Sequence, residues 1–150
     1  MDDKEIIRRA ISIVTETRAG LLATVGLDGA PNLRWMATHS LMGSLDTLYT
    51  ITAPASNKVR EIEKNPAVTW LFTRVNFNEI LKLHGVASLE DEPLLKSQIW
   101  DIVGRKTWRY FTINRENPEF LVLVTKVRSI EYYAPQEGVF EPLKVKLPAE

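Results

Sequence analysis

Two short segments of this chain carry the residue types that could hold a phosphate group. The first begins with Arg34, in the run Arg-Trp-Met-Ala-Thr, and the second passes from a strand into a helix with Ser56 and Lys58 at its start. An arginine, a lysine, a hydroxyl and free backbone N–H groups at a helix N-terminus are donors that bind phosphate. The apolar strand residues beside them offer a surface for a flat ring. The two segments therefore predict a site for a phosphorylated, ring-bearing cofactor.

Each of these residues also has an ordinary structural interpretation. Arg34 alone is more often a surface arginine, Lys58 a solvated helix residue, and Ser56 a simple N-cap. The hypothesis depends on their joint placement, because in an antiparallel sheet Arg34 can lie near the strand end from which Ser56 and Lys58 leave. The helix dipole at that end adds a fraction of a kcal/mol for an anion.

The composition is that of one ordinary globular domain. The chain has 150 residues, of which 45% are hydrophobic and 25% charged, enough for a single core. Lys+Arg and Asp+Glu both number 19, so the chain lacks the basic field of nucleic-acid binders. No apolar run is long enough to span a bilayer, and the acidic N-terminus does not resemble a signal peptide. We therefore expect a cytoplasmic protein that binds neither nucleic acid nor membrane.

Residues for acid–base or metal chemistry are few. The chain has no cysteine, which excludes disulfides, thiolate metal sites and cysteine nucleophiles. His39 and His84 are too few for a multi-histidine metal site, and we expect no metal. Neither histidine has a neighbouring acid that would form a dyad, and there is no nucleophile elbow. No side chain is therefore assigned a catalytic role.

An aromatic cluster stands late in the chain, formed by Trp100, Trp108, Tyr110 and Phe111. Packing of a helix or a dimer interface is the simpler interpretation, because buried aromatic residues usually pack. The alternative is a wall over a flat ligand. Aromatic stacking also suits single-stranded nucleic acid, but the neutral charge balance argues against it.

Hydrophobic periodicity and turn signals predict three helices and six strands. Helices are expected at residues 2–17, 56–64 and 92–103, the first with Asp2 and Glu5 as a capping box. Strands are expected at residues 21–27, 30–40, 48–52, 68–73, 79–89 and 120–134, with Asp28-Gly29 as a hairpin turn. Residues 136–150 hold several prolines and are expected to form an irregular tail. We therefore predict one mainly β domain over residues 1–150, an antiparallel barrel with helices.

These motifs together resemble the FMN-binding split barrels related to pyridoxamine 5′-phosphate oxidase, and most of all their short general-stress-protein branch. The resemblance runs from about Ile6 to Tyr133. Each motif is degenerate, but their order and spacing together are fairly specific. The segments that carry it are residues 21–25, 28–31, 34–38, 48–52 and 56–62, the pair Asn65-Pro66, and Gly85 in the fifth predicted strand.

The resemblance implies a six-stranded antiparallel split β-barrel that forms a two-fold homodimer, with FMN at the interface. It implies that Arg34, Ser56 and Lys58 hold the FMN phosphate, with Asn57 in the same motif. It also implies that two strands line the isoalloxazine, largely through backbone groups. The residues so implied are Trp35, Met36, Ala37 and Thr38 in the second predicted strand and Tyr49, Thr50, Ile51 and Thr52 in the third.

The chain departs from the family pattern at three places. Ile80 stands where members with the oxidase activity often carry a glutamine that contacts the flavin. The tail lacks the tryptophan and arginine that serve cofactor and substrate in the longer oxidases. The last strand ends in Tyr132-Tyr133, where the short branch often has Tyr-Trp. We therefore predict an FMN-binding oxidoreductase that lacks pyridoxamine 5′-phosphate oxidase activity itself.

Two other functions are compatible with the same fold. The first is a non-catalytic flavin store or sensor in a stress response. The second is a split barrel that uses deazaflavin F420 or haem in place of FMN. His39 or His84 would then be the haem ligand, whereas no additional basic cluster is present for the acidic tail of F420.

Overall fold

The structure, a computed structural model, describes residues 1–40, 43–103, 113–114 and 119–148. These parts of the chain contain the α-helices α1 (Asp3–Thr17), α2 (Asn57–Lys64) and α3 (Pro93–Val103), and 3-10 turns at Val75–Phe77 and Pro135–Glu137. Within them, none of the helices has the length and apolar character needed to cross a membrane. The strands are β1 (Ala19–Val25), β2 (Pro31–Ala37), β3 (His39–Ser40), β4 (Thr47–Thr52), β5 (Ala67–Thr73), β6 (Ile80–Glu90), β7 (Leu121–Ala134) and β8 (Val139–Lys146).

The strands form one antiparallel sheet with the order β2-β1-β5-β6-β7-β4-β3, and β8 pairs with β7. β2 and β3 follow each other in the chain but lie at opposite ends of this order, so the sheet has to curl until its two ends come close to each other. The junction is short, because β3 pairs only His39 with Tyr49 and Ser40 with Leu48. The result is a half-barrel with helices, which confirms the predicted fold class.

The main core fills the inside of the half-barrel. Trp70 and Phe72 on β5 stack with their ring centroids 5.8 Å apart, and the Trp70 indole N–H donates to Thr125 Oγ1 at 3.1 Å. A smaller cluster lies between α3 and the sheet, formed by Ile99, Val103, Val122 and Val124. The fully buried side chains of the main core include Ile13, Leu22, Leu48, Leu81, Leu83, Leu123 and Ile130.

Helix α1 begins as predicted but with half of the expected capping box. Asp2 Oδ1 accepts a hydrogen bond from the Glu5 backbone N–H at 2.8 Å. The Glu5 side chain instead binds Arg8 and Arg9, and these hydrogen bonds, first from Arg8 and then from Arg9, lower the pKa of Glu5 to about 2. The helix ends at Thr17, one residue before Arg18 with φ 60°.

The predicted Asp28-Gly29 hairpin is confirmed. Gly29 has φ 87°, a conformation that glycine adopts without the strain of a Cβ atom. The Gly26 N–H donates to Ala30 O at 2.7 Å, and the turn joins β1 to β2 as an antiparallel pair. Helices α2 and α3 and strands β4 to β7 also lie where the sequence predicts them, within a few residues at each end.

Two strand predictions are wrong. Residues 30–40 form two strands rather than one, because β2 pairs with β1 whereas β3 pairs with β4. Between them, the Thr38 N–H donates to Arg18 O at 3.0 Å. Residues 136–150 include β8 rather than an irregular tail, and Val145 of this strand is buried. Pro142 is tolerated because β8 pairs only with β7 among the described residues, and because the register shifts between Leu143 and Val139. Proline lacks an N–H and is confined to such edges and bulges.

Candidate phosphate and cofactor site

Strand β2 presents Arg34 on the inner face of the sheet. Arg34 lies opposite Leu22 of β1, and Met36 lies opposite Gly20. Because Leu22 is fully buried, Arg34 and Met36 share the face that looks into the half-barrel. Trp35 lies on the other face and is 67% exposed, so its side chain points away from Arg34.

The Arg34 guanidinium is held by hydrogen bonds from three directions. Its Nη1 donates to Thr24 Oγ1 at 2.7 Å and to Leu22 O at 3.2 Å. Its Nη2 donates to Glu61 Oε1 at 3.0 Å. Glu61, on α2, is only 4% exposed and also accepts from Thr24 Oγ1 at 2.9 Å and from the Asn32 side-chain amide. A buried carboxylate therefore stands inside the predicted phosphate site.

The Glu61 carboxylate is kept ionised by its partners. Burial alone would raise its pKa, but the hydrogen bonds from Asn32, Thr24 and Arg34 outweigh burial and hold the pKa of Glu61 below its usual value. Glu61 is not among the site residues that the sequence predicts. One sequence feature does place Glu61 near the site. It follows Lys58 by three residues, and residues at this spacing lie on the same side of a helix.

The start of α2 brings Ser56 and Lys58 to the end of β4. Lys58 Nζ donates to Ser56 Oγ at 3.1 Å, and Ser56 Oγ lies 3.2 Å from Thr52 Oγ1. Ser56 occupies the N-cap position that its ordinary interpretation expects, but its side chain makes no capping hydrogen bond. The first N–H groups of α2 are therefore left without a side-chain cap, as an anion site at a helix N-terminus requires.

The charges of Arg34 and Lys58 act on each other. Burial lowers the pKa of the Lys58 ammonium, the nearby Arg34 charge lowers that pKa further, and Glu61 acts in the opposite direction. Arg34 binds Glu61, which lies one turn after Lys58 on α2, and Lys58 binds Ser56, so these residues form one cluster at the start of α2. An anion bound between the two cations would favour the charged form of Lys58.

The gap in the half-barrel lies between β2 and β4. Thr50 Oγ1 donates to Ala37 O at 3.0 Å, and Thr38 Oγ1 donates to Tyr49 O at 3.2 Å. Thr38 and Thr50 are both buried. Among the described residues, β2 pairs only with β1, and β4 beyond Tyr49 pairs only with β7. Ala37 O and Tyr49 O thus accept from side chains, whereas the other backbone groups on these two edges have no strand partner among the described residues and can bind a flat polar ligand.

Some predicted site residues direct their side chains elsewhere. Tyr49 and Ile51 pack against the cluster between α3 and the sheet, which leaves only their backbone facing the gap. Asn57 is exposed, and its Oδ1 accepts from Arg60 Nη2 at 2.6 Å. Of the predicted aromatic cluster, Trp100 lies on α3 and is 42% exposed. The other three members, Trp108, Tyr110 and Phe111, lie outside the described residues.

His84 has an acidic neighbour, contrary to the expectation from the sequence. Its Nε2 lies 3.2 Å from Glu131 Oε2, and its Nδ1 lies 2.9 Å from Thr69 Oγ1. The expectation that neither histidine has such a neighbour is therefore wrong for His84, because sheet pairing joins residues 47 positions apart in sequence. Among the described residues, no three His, Asp or Glu side chains are grouped as metal ligands.

An antiparallel sheet that curls into a half-barrel and carries helices is the split-barrel fold. The sequence profile of the pyridoxamine 5′-phosphate oxidase family matches residues 7–134, and the chain belongs to this family. It is similar to general stress protein 26 of Bacillus subtilis (strain 168), with 28% identity over 127 residues that cover 82% of this chain and 84% of the relative.

Solved structures show the same fold. A protein related to general stress protein 26, from Clostridium acetobutylicum, superimposes with a TM-score of 0.80 at 18% identity, covering 97% of both chains. A pyridoxamine 5′-phosphate oxidase-related, FMN binding protein from Nostoc punctiforme superimposes with a TM-score of 0.65 at 15% identity, covering 97% of this chain and 95% of that one. A heme binding protein from Mycobacterium smegmatis superimposes with a TM-score of 0.70 at 17% identity, covering 93% of this chain and 57% of that one.

Proposed function

We propose that this protein is an FMN-binding flavoprotein that acts as an oxidoreductase. The observation that carries the proposal is the cluster of Arg34, Lys58 and Ser56 beside the open edges of β2 and β4. A monophosphate attached to a flat polar ring is the kind of ligand that matches both halves of this site. The family membership and the FMN binding protein of the same fold give further support.

The phosphate half of the site matches a phosphate group in its positive charge and in its hydrogen-bond donors. Lys58 supplies an ammonium that hydrogen bonds a hydroxyl oxygen, Ser56 Oγ, at 3.1 Å, and α2 offers backbone N–H groups without a side-chain cap. Arg34 is fixed on the inner face by Thr24 and Glu61. Because such charge-assisted bonds are about twice as strong as neutral ones, the phosphate supplies much of the binding free energy.

The ring half of the site offers backbone rather than side-chain chemistry. A bound flavin would supply hydride or electron transfer, and the protein would hold and orient its ring. The open N–H and C=O groups of β2 and β4 suit the polar edge of the isoalloxazine, and Met36 provides an apolar contact beside Arg34. Pyridoxamine 5′-phosphate oxidase activity itself is not proposed, because Ile80 stands at the family's glutamine position.

A reduction experiment tests the oxidoreductase part of this proposal. FMN-loaded protein mixed with NADPH or NADH in the absence of oxygen is expected to lose its oxidised-flavin absorbance, and to regain it when air is admitted. Free FMN at the same concentration is the control. If neither donor reduces the bound flavin faster than free FMN, the non-catalytic store or sensor becomes the better description.

A haem-binding function is the competing possibility, because one structure of this fold belongs to a heme binding protein. The geometry of His84 weighs against it as the iron ligand, since both ring nitrogens already lie within hydrogen-bond distance of Thr69 and Glu131. A Soret band after incubation with haem, lost on His39→Ala or His84→Ala, would favour haem over FMN. For F420, the neutral charge balance offers no added attraction to its acidic tail.

We also propose a homodimer in the cytoplasm, with the cofactor at the interface. The outer face of β2 carries Leu33 and Trp35, which are 60% and 67% exposed, and a second copy would bury them. The gap between β2 and β4 would then gain its second wall from the partner. Light scattering is expected to give twice the mass of one chain, and a monomer that still binds FMN would contradict the interface site.

A further inference from the structure

We propose that Glu61 has two opposing effects on the bound flavin phosphate, and that their balance makes the flavin exchangeable. Glu61 positions Arg34 for the phosphate, and its negative charge weakens the hold on that phosphate. This inference rests on the proposed function. It concerns a residue that makes no direct contact with the reacting part of the flavin, so Glu61 is a positioning residue.

The positioning effect follows from the way Arg34 is bound. An arginine has five N–H donors in one rigid plane. Four contacts hold the guanidinium. Nη1 donates to Thr24 at 2.7 Å, to Leu22 O at 3.2 Å and to Asn32 O at 3.5 Å, and Nη2 donates to Glu61 at 3.0 Å. The Arg34 Nε–H has no hydrogen bond among the described residues, so the plane still offers donors in one fixed direction. Without Glu61, only the contacts of Nη1 would restrain the side chain.

The weakening effect follows from charge. The cluster holds two cations, Arg34 and Lys58, and one anion, Glu61, which leaves a single net positive charge for a phosphate that carries about two negative charges. Glu61 is 4% exposed, and its interaction with a nearby phosphate is therefore less screened than at the surface. Lys58 lies three residues before Glu61 on α2, so the two side chains leave the same side of the helix and the carboxylate acts on the second cation as well.

A glutamine at this position separates the two effects. Glu61→Gln keeps the size and the acceptor oxygen that Arg34 and Thr24 use, while its amide N–H can donate to Asn32 Oδ1 once the Asn32 amide turns over. The arginine then stays in place and the negative charge is gone. Glu61→Ala removes both the charge and the anchor, so the two variants should move phosphate binding in opposite directions.

The test compares FMN with riboflavin, which lacks the phosphate. Both affinities are measured by quenching of flavin fluorescence, and FMN release is measured by dilution into excess apoprotein of another flavoprotein. We expect Glu61→Gln to bind FMN about ten-fold more tightly than the wild type, the effect of one unit charge at a partly screened site. FMN release should slow in proportion, and riboflavin affinity should not change.

A matched control lies on the same helix. Glu63 is exposed on α2, and Glu63→Gln removes the same charge without touching Arg34, so we expect no change in the ratio of FMN to riboflavin affinity. Glu61→Ala is expected to lower that ratio by about ten-fold, because losing the anchor costs about a hundred-fold, the value of one strong hydrogen bond to a charged group, against the ten-fold gained by removing the charge. Circular dichroism of each variant verifies that it is folded.

The outcomes separate this inference from the proposed function. If wild-type protein binds FMN no better than riboflavin, both fail. If the wild type prefers FMN but Glu61→Gln leaves the ratio unchanged or lowers it, the inference fails and the proposed function stands. If Glu61→Gln does not fold, Glu61→Ala decides, and an undiminished preference for FMN in that variant overturns the positioning role.

Discussion

An Arg34→Ala/Lys58→Ala variant is expected to bind FMN about a thousand-fold more weakly than the wild type. Its affinity for riboflavin should stay within a few-fold of the wild-type affinity for riboflavin. Hydrogen bonds to charged groups contribute about 2 kcal/mol each, and every 1.4 kcal/mol corresponds to a factor of ten in affinity. Both side chains belong to the cluster at the gap of the half-barrel, where Lys58 donates to Ser56 and Arg34 to Glu61. Titration of flavin fluorescence measures both affinities.

The control for this prediction removes two charges from the same helix. Arg60 and Lys64 are exposed on α2, and Arg60→Ala/Lys64→Ala should leave FMN binding nearly unchanged. Because Arg34→Ala leaves the buried Glu61 without its cation and so costs stability, Lys58→Ala alone is measured as well. Undiminished FMN binding in the folded double variant would overturn the site assignment.

Replacing Gly85 with alanine is expected to destabilise the fold by about 3 kcal/mol or more. Gly85 lies where the β6–β7 register shifts, and the two strands approach so closely there that an added Cβ would collide with the Lys126 carbonyl. It would also lie 3.0 Å from Lys126 C and 3.2 Å from Val127 Cα. These are backbone atoms of the central strand β7, so the clash can be relieved only by separating the pair. Denaturant unfolding followed by circular dichroism measures the loss.

Gly29 provides the matched comparison. A Cβ at Gly29 would meet no atom within 4 Å, so Gly29→Ala suffers only from its φ of 87°. An L-residue in that conformation costs about 1 to 2 kcal/mol. Equal unfolding midpoints for the two variants would show that the close approach at Gly85 is relaxed by small shifts.

Local signals were sufficient to predict most of the fold. Asp2 marks a helix start because its side chain can cap the helix, and the Asp28-Gly29 pair marks a turn because glycine tolerates the backbone conformation of the turn. The alternation of apolar residues marks the strands. Strand β8 was missed because Pro142 suggests an irregular tail, whereas the sheet accommodates it at an edge with a register shift. Such tolerance depends on the partner strand β7, which no local pattern reveals.

The site was predictable only in its cations. Arg34 and Lys58 stand out by type and spacing, but the contacts that hold them come from residues distant in sequence. Glu61 is one example, because its burial depends on β1 and β2 folding over α2. His84 is another, because Glu131 reaches it only through the pairing of β6 with β7. Strand alternation also explains why the Trp35 side chain lies away from the gap.

The most direct test of the central claim is the visible absorption spectrum of the purified protein after incubation with FMN and removal of free flavin. We expect oxidised-flavin bands that remain with the protein at close to one FMN per chain, and that are absent after the same treatment with Arg34→Ala/Lys58→Ala protein. A folded wild-type protein that retains no FMN, and does not quench its fluorescence at micromolar concentration, would contradict the account.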